Sequence, residues 1–210
     1  VNRWIQPGSS NLLILPALSW QLIVSYRPMA EGKLVYVIGP SGSGKDSLMT
    51  YAREQVAGRL PILFAHRYIT RPMDAGGENH VCLTQAEFLK RRELGLFAFD
   101  WQSHRNFYGI GIEITYWMST GANVVVNGSR KYLPTASQRF PEMQIILIDV
   151  SPDVLRQRLT DRGRETTEEI NARIERNQQI PAVHHPNLLI LNNDASLAES
   201  GARFIDMLTS

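Results

Sequence analysis

The chain has 210 residues, 43% hydrophobic and 20% charged, with a formal net charge of +2. That length and composition fit one globular domain with small insertions and exclude a disordered, fibrous or membrane-embedded chain. The near-neutral balance leaves no polybasic stripe for nucleic acid, and the single cysteine, Cys82, excludes an internal disulfide or a cysteine metal cluster and suits a reducing cytoplasm.

In chain order, residues 1–32 read as an N-terminal extension. Its uncharged run from Leu12 to Tyr26 falls short of the about 20 apolar residues that span a bilayer. Pro16 and Gln21 interrupt it and no small-x-small cleavage pattern follows, so neither a membrane span nor an export signal is expected. From residue 33 to 210, apolar runs alternate with helical patterns, which predicts an α/β domain with a parallel sheet flanked by helices. Strands are expected over 34–38, 61–65, 123–126, 145–150 and 188–191. Helices are expected over 45–56, 84–94, 130–139, 152–162, 166–179 and 196–208, several opened by Ser, Thr or Asp at the N-cap. Between 67 and 118 the pattern shifts to short, aromatic-rich, turn-punctuated segments, which reads as an inserted subdomain. No internal repeat or heptad run is present.

The strongest local signal is Gly39-Pro40-Ser41-Gly42-Ser43-Gly44-Lys45-Asp46-Ser47, placed between a predicted strand and a predicted helix. This is the phosphate-binding loop of a P-loop NTPase in its required context. Glycines let the backbone curl so that N–H groups face phosphate oxygens, the helix N-terminus adds partial positive charge, and Lys45 reaches the β- and γ-phosphates. Asp46 replaces the usual hydroxyl ligand of Mg²⁺. Either the carboxylate takes the metal, directly or through water, or it caps its helix.

With Arg67-Tyr68-Ile69-Thr70-Arg71, Phe107-Tyr108-Gly109, Arg158-Leu159-x-x-Arg162-Gly163 and Asn193-Asp194 added in this order, the chain resembles the guanylate kinase family from residue 33 to about 208. The resemblance implies a P-loop kinase using ATP and Mg²⁺, with an acceptor-binding insertion over about 67–118 and a helical lid over about 156–174. It implies that Arg71 and Tyr108 hold the acceptor phosphate, that Arg158, Arg162 and Arg173 belong to the lid that closes over ATP, and that Asn193 lies near the adenine. The residues agree with the lid. Arg158 and Arg162 are four apart on one helical face and Arg173 opens the same face of the next helix, so three guanidinium groups can converge on a polyanion. The alternative for these arginines is a solvated basic face paired with Asp161, Glu165 and Glu169.

Departures from the family point to the acceptor. Arg67, Asp100 and Ser129 stand where guanylate kinases carry a Ser, a Glu and an Asp that read guanine, and His80 replaces an acceptor tyrosine. Asn127 stands where a strand carboxylate serves the metal. Losing a carboxylate and gaining an arginine leaves guanine donors unpaired and favours another phosphate. These departures suit a bisphosphorylated sugar as acceptor, and the resemblance implies that it is ribose 1,5-bisphosphate. The alternatives are a guanylate-type nucleoside monophosphate kinase and a non-catalytic module of the same fold, the latter disfavoured by Lys45 and the lid arginines. Neither nucleic acid nor membrane is an expected partner. His66, His80, His104, His184 and His185 have no metal-ligand spacing. Phe97, Phe99, Trp101, Tyr116 and Trp117 are expected in the core of the insertion.

Overall fold

The structure, a computed structural model, describes residues 31–72, 80–103, 105–179 and 182–210. The expected extension lies almost entirely outside the described residues, as does His104. The parent sheet is parallel throughout, with strands β1 (Leu34–Ile38), β2 (Ile62–Phe64), β7 (Asn123–Asn127), β8 (Gln144–Asp149) and β9 (Leu188–Asn192) in the order β2-β7-β1-β8-β9. All five residues of β1 are buried, as expected for a strand covered on both faces.

Successive side chains of the sheet feed two cores. On one face Val35, Val37, Val125, Ile146 and Ile148 meet Leu48, Met49, Ala52 and Val56 of α1 (Lys45–Val56) and Phe204 and Leu208 of α7 (Leu197–Thr209). Gly201 lets these two helices close: a Cβ there would stand 2.3 Å from the Tyr51 ring. On the other face Tyr36, Ile38, Val124, Val126 and Ile145 meet α3 (Glu113–Ser119) and α4 (Leu133–Arg139).

The 67–118 stretch forms a second sheet, β4-β3-β6-β5, from β3 (Arg67–Ile69), β4 (His80–Cys82), β5 (Phe97–Ser103) and β6 (Asn106–Gly111). Phe88 of α2 (Gln85–Glu93) is fully buried, stacked on Phe97 at 4.6 Å and Phe107 at 5.4 Å. Phe99 and Trp101 instead join the parent core with Tyr36, while Tyr116 is 70% exposed and lies in no core. The helix expected over 130–139 is divided: a 3-10 turn covers Arg130–Tyr132 and α4 starts at Leu133, because Pro134 suits only a first turn.

The segment expected to form a lid is a pair of helices, α5 (Pro152–Arg162) and α6 (Thr167–Gln178), joined through Leu155, Leu159, Ile170 and Ile174. Ser151 caps α5, and Thr166 with Glu169 forms a capping box on α6.

Candidate active site

The phosphate loop joins β1 to α1. Gly44 is the N-cap of α1 with φ 81°, and Gly42 has φ 94°, conformations that favour glycine. A Cβ on Gly44 would also stand 2.5 Å from Asn193 Nδ2. That amide donates to the Ser43 carbonyl at 2.6 Å, and Arg158 Nη2 donates to the Asn193 carbonyl at 2.8 Å. Asn193 is buried, so it props the loop from behind as well as bordering the cavity.

The loop floors a cavity of about 800 Å³ at the C-terminal ends of β1 and β7. Among the described residues seven cationic side chains line it, Lys45, Arg67, Arg71, Arg130, Arg158, Arg162 and Arg164, against a single carboxylate, Asp46. Burial lowers the pKa of Lys45, opposed by the nearby Asp46. Burial also brings Arg67 down to about 10, partly offset by Asp46 and Tyr108. Arg67 lies over the Tyr108 ring at 5.5 Å, and Tyr108 stacks in parallel on Trp101 at 5.6 Å, which layers one acceptor wall.

Asp46 is not the cap of α1, since it sits inside the first turn. Its Oδ1 accepts from Lys45 Nζ at 3.2 Å and from Asn127 Nδ2 at 2.8 Å, and Lys45 Nζ donates to Asn127 Oδ1 at 2.7 Å. Ser47 also lines the cavity. Ser129 borders it with a backbone held by Tyr36: the Tyr36 hydroxyl donates to the Ser129 carbonyl at 3.1 Å and accepts from its N–H at 2.9 Å. In the lid, Arg162 Nη2 donates to Glu165 at 2.8 Å, Arg173 pairs with the same carboxylate, and Arg173 Nη1 donates to Ser41 Oγ at 3.1 Å.

Two expected acceptor residues stand elsewhere. Asp100 is turned by strand alternation away from Trp101 and the cavity toward α2, where it forms a 2.7 Å ion pair with Arg92. His80 is buried with Nε2 at 3.1 Å from the Arg71 carbonyl oxygen, steadying Arg71 rather than lining the cavity. Sequence reasoning missed Arg130, Arg164, Ser103 and Gly128 on the walls, and placed Trp101 in the core, although it is both 9% exposed and part of the lining. The rule that ligands sit at the carboxyl ends of parallel strands points to Gly128 and Arg130; nothing in the pattern marks Ser103.

A glycine-rich loop that cradles phosphates, a cationic cleft and a two-helix lid define a P-loop phosphotransferase. The guanylate kinase of Anaplasma phagocytophilum superposes with a TM-score of 0.62 over 86% of each chain at 16% identity, which shows the shared fold. No protein-family model matches the chain. Three relatives carry the name ribose 1,5-bisphosphate phosphokinase PhnN. That of Thiobacillus denitrificans is 54% identical over 86% of this chain and 95% of its own, and that of Desulfomicrobium baculatum 55% identical over 80% and 90%. That of Burkholderia pseudomallei is 49% identical over 86% and 97%. The chain belongs to the ribose 1,5-bisphosphate phosphokinase family.

Proposed function

We propose that the protein transfers the γ-phosphoryl group of ATP to the 1-phosphate of ribose 1,5-bisphosphate, giving ADP and 5-phospho-α-D-ribose 1-diphosphate. The observation that carries this reading is the charge of the acceptor walls: Arg67, Arg71 and Arg130 face the cavity while Asp100, the one carboxylate placed to read a base, is turned away and paired with Arg92. A phosphate-rich sugar satisfies such walls; the donor edge of guanine does not. Family membership supports the same acceptor, and places the reaction in phosphonate degradation and supply of the diphosphate sugar.

The loop N–H groups of 41–44 and Lys45 hold the β- and γ-phosphates. Arg67, Arg71 and Tyr108 hold the 1-phosphate, one of whose oxygens attacks the γ-phosphorus as the bond to the bridging oxygen of ADP breaks. That oxygen is already anionic near neutral pH, so no general base is needed. Arg158, Arg162 and Arg173 neutralise the charge spread over the moving group. The hard oxygens of Asp46 and Ser47 fit Mg²⁺ and would hold it, and the metal would supply positive charge to offset that of the donor phosphates.

With labelled ATP and ribose 1,5-bisphosphate, GMP and ribose 5-phosphate offered in parallel, the largest kcat/KM is expected for ribose 1,5-bisphosphate. A larger value for GMP overturns the proposal. The protein acts without nucleic acid, and no helix among the described residues is long and apolar enough to cross a membrane.

A further inference from the structure

Glu165 lies in the short connection between α5 and α6, and its side chain is 12% exposed. Both carboxylate oxygens serve arginines: Oε2 accepts from Arg162 Nη2 at 2.8 Å and Oε1 pairs with Arg173 Nη2. The N-terminus of α6 is capped by Thr166 and Glu169, so Glu165 is not needed there. Burial works to raise its pKa, and the hydrogen bonds and charges of the two arginines outweigh this and hold the carboxyl below its usual range.

We infer that Glu165 is a positioning residue for phosphoryl transfer: it gathers Arg162 and Arg173 at one point above the phosphate loop and, through the bond from Arg173 to Ser41, seats the lid on that loop. Two guanidinium groups repel each other, so they converge on one phosphoryl group only when a countercharge sits behind them. Asp46, the carboxylate lining the cavity, is engaged with Lys45 and Asn127 and belongs to the opposite side of the loop. Among the described residues Glu165 is the carboxylate that pairs with either lid arginine. Each arginine offers five N–H donors, so one edge can rest on Glu165 while the rest face the donor phosphates. The two arginines are 36% and 26% exposed, and ion pairs with partly exposed arginines add little to stability.

The inference rests on the kinase reading but only on its donor side. In steady-state assays Glu165→Gln is expected to lower kcat about 10- to 100-fold, the scale of a small misplacement of catalytic groups, while the KM for ATP moves much less. Glu165→Asp should recover part of the loss, and the thermal unfolding midpoint should stay near that of the parent. The decisive measurement is a double-mutant cycle. On an Arg162→Ala background Glu165→Gln should cost far less than on the parent, because the arginine it acts through is gone. Unchanged kcat in folded Glu165→Gln, or a full additive loss in the cycle, overturns the inference. Should Glu165→Gln not fold, the cycle is run with Glu165→Asp and decided in the same way. If the parent uses GMP and not ribose 1,5-bisphosphate, the proposed acceptor falls while the same cycle with GMP still decides the role of Glu165.

Discussion

Lys45, Asp46 and Asn127 close a ring of three side chains beside the phosphate loop, with contacts of 3.2, 2.8 and 2.7 Å. One oxygen of Asp46 is turned into that ring, where the Asn127 amide steadies it, and its other oxygen is the one we propose for a divalent cation. Asp46→Asn is therefore expected to raise the Mg²⁺ concentration for half-maximal rate about tenfold, the scale of one charge-assisted interaction, and Asn127→Asp in that background to restore part of it. An unchanged Mg²⁺ dependence would reduce Asp46 to a partner of Lys45. Lys45 also makes the rate sensitive to alkali. Burial lowers its pKa and only the ammonium form binds phosphate, so kcat/KM for ATP should fall as pH rises through a value below the ~10.4 of an ordinary lysine. Arg67, brought down to about 10, should give kcat/KM for the acceptor an alkaline decline of its own. In the kcat profile, where bound phosphates favour the charged form, the fall should come at higher pH. Coincident alkaline limbs in the two profiles would deny Lys45 its phosphate contact.

The inserted sheet has a small core of its own around Phe88, which stacks on Phe97 and Phe107 and packs with Leu83. Phe88→Ala should cost about 3–5 kcal/mol of local stability. Because β3 and β6 carry Arg67 and Tyr108, the acceptor KM should rise while binding of ATP, held by α1 and the lid, is kept; equal loss of both would mean that the two units unfold together. The parent strands and the lid helices were legible in the sequence because their apolar residues keep one period over many positions. Short strands such as β3 and β4, three residues each, carry too few positions to show a period, and α3 opens without a polar cap. At the site, the loop and Lys45 were legible from spacing alone. The direction of Asp100 was not, since it depends on which face of β5 packs on the parent core, and a register shift between Phe97 and Phe99 sets that face. His80 was misread for a related reason: its partner is a backbone carbonyl, which leaves no trace in side-chain identity.

A net charge of +2 conceals seven cations around one cavity, which among the described residues face one lining carboxylate, Asp46, while Glu165 sits behind the lid arginines. Such a cavity concentrates anions before any specific contact forms. The parallel sheet makes this possible by delivering the ends of β1, β7, β8 and β9 to one edge, where the loops of one side meet the insertion and the lid. The phosphate loop itself is stitched to a distant part of the chain. Asn193 donates to the Ser43 carbonyl across 150 residues, and Arg158 joins the same carbonyl and that of Asn193. During synthesis the glycine-rich loop emerges well before Asn193, so it lacks its rear support until β9 has been made and has paired with β8. At ~5–20 residues per second the 150 residues from Ser43 to Asn193 take about 8–30 seconds, during which the loop sequence is complete and its fold unfinished. Nucleotide affinity is thus a late event in folding, and ATP stabilises the finished fold by mass action rather than guiding its assembly.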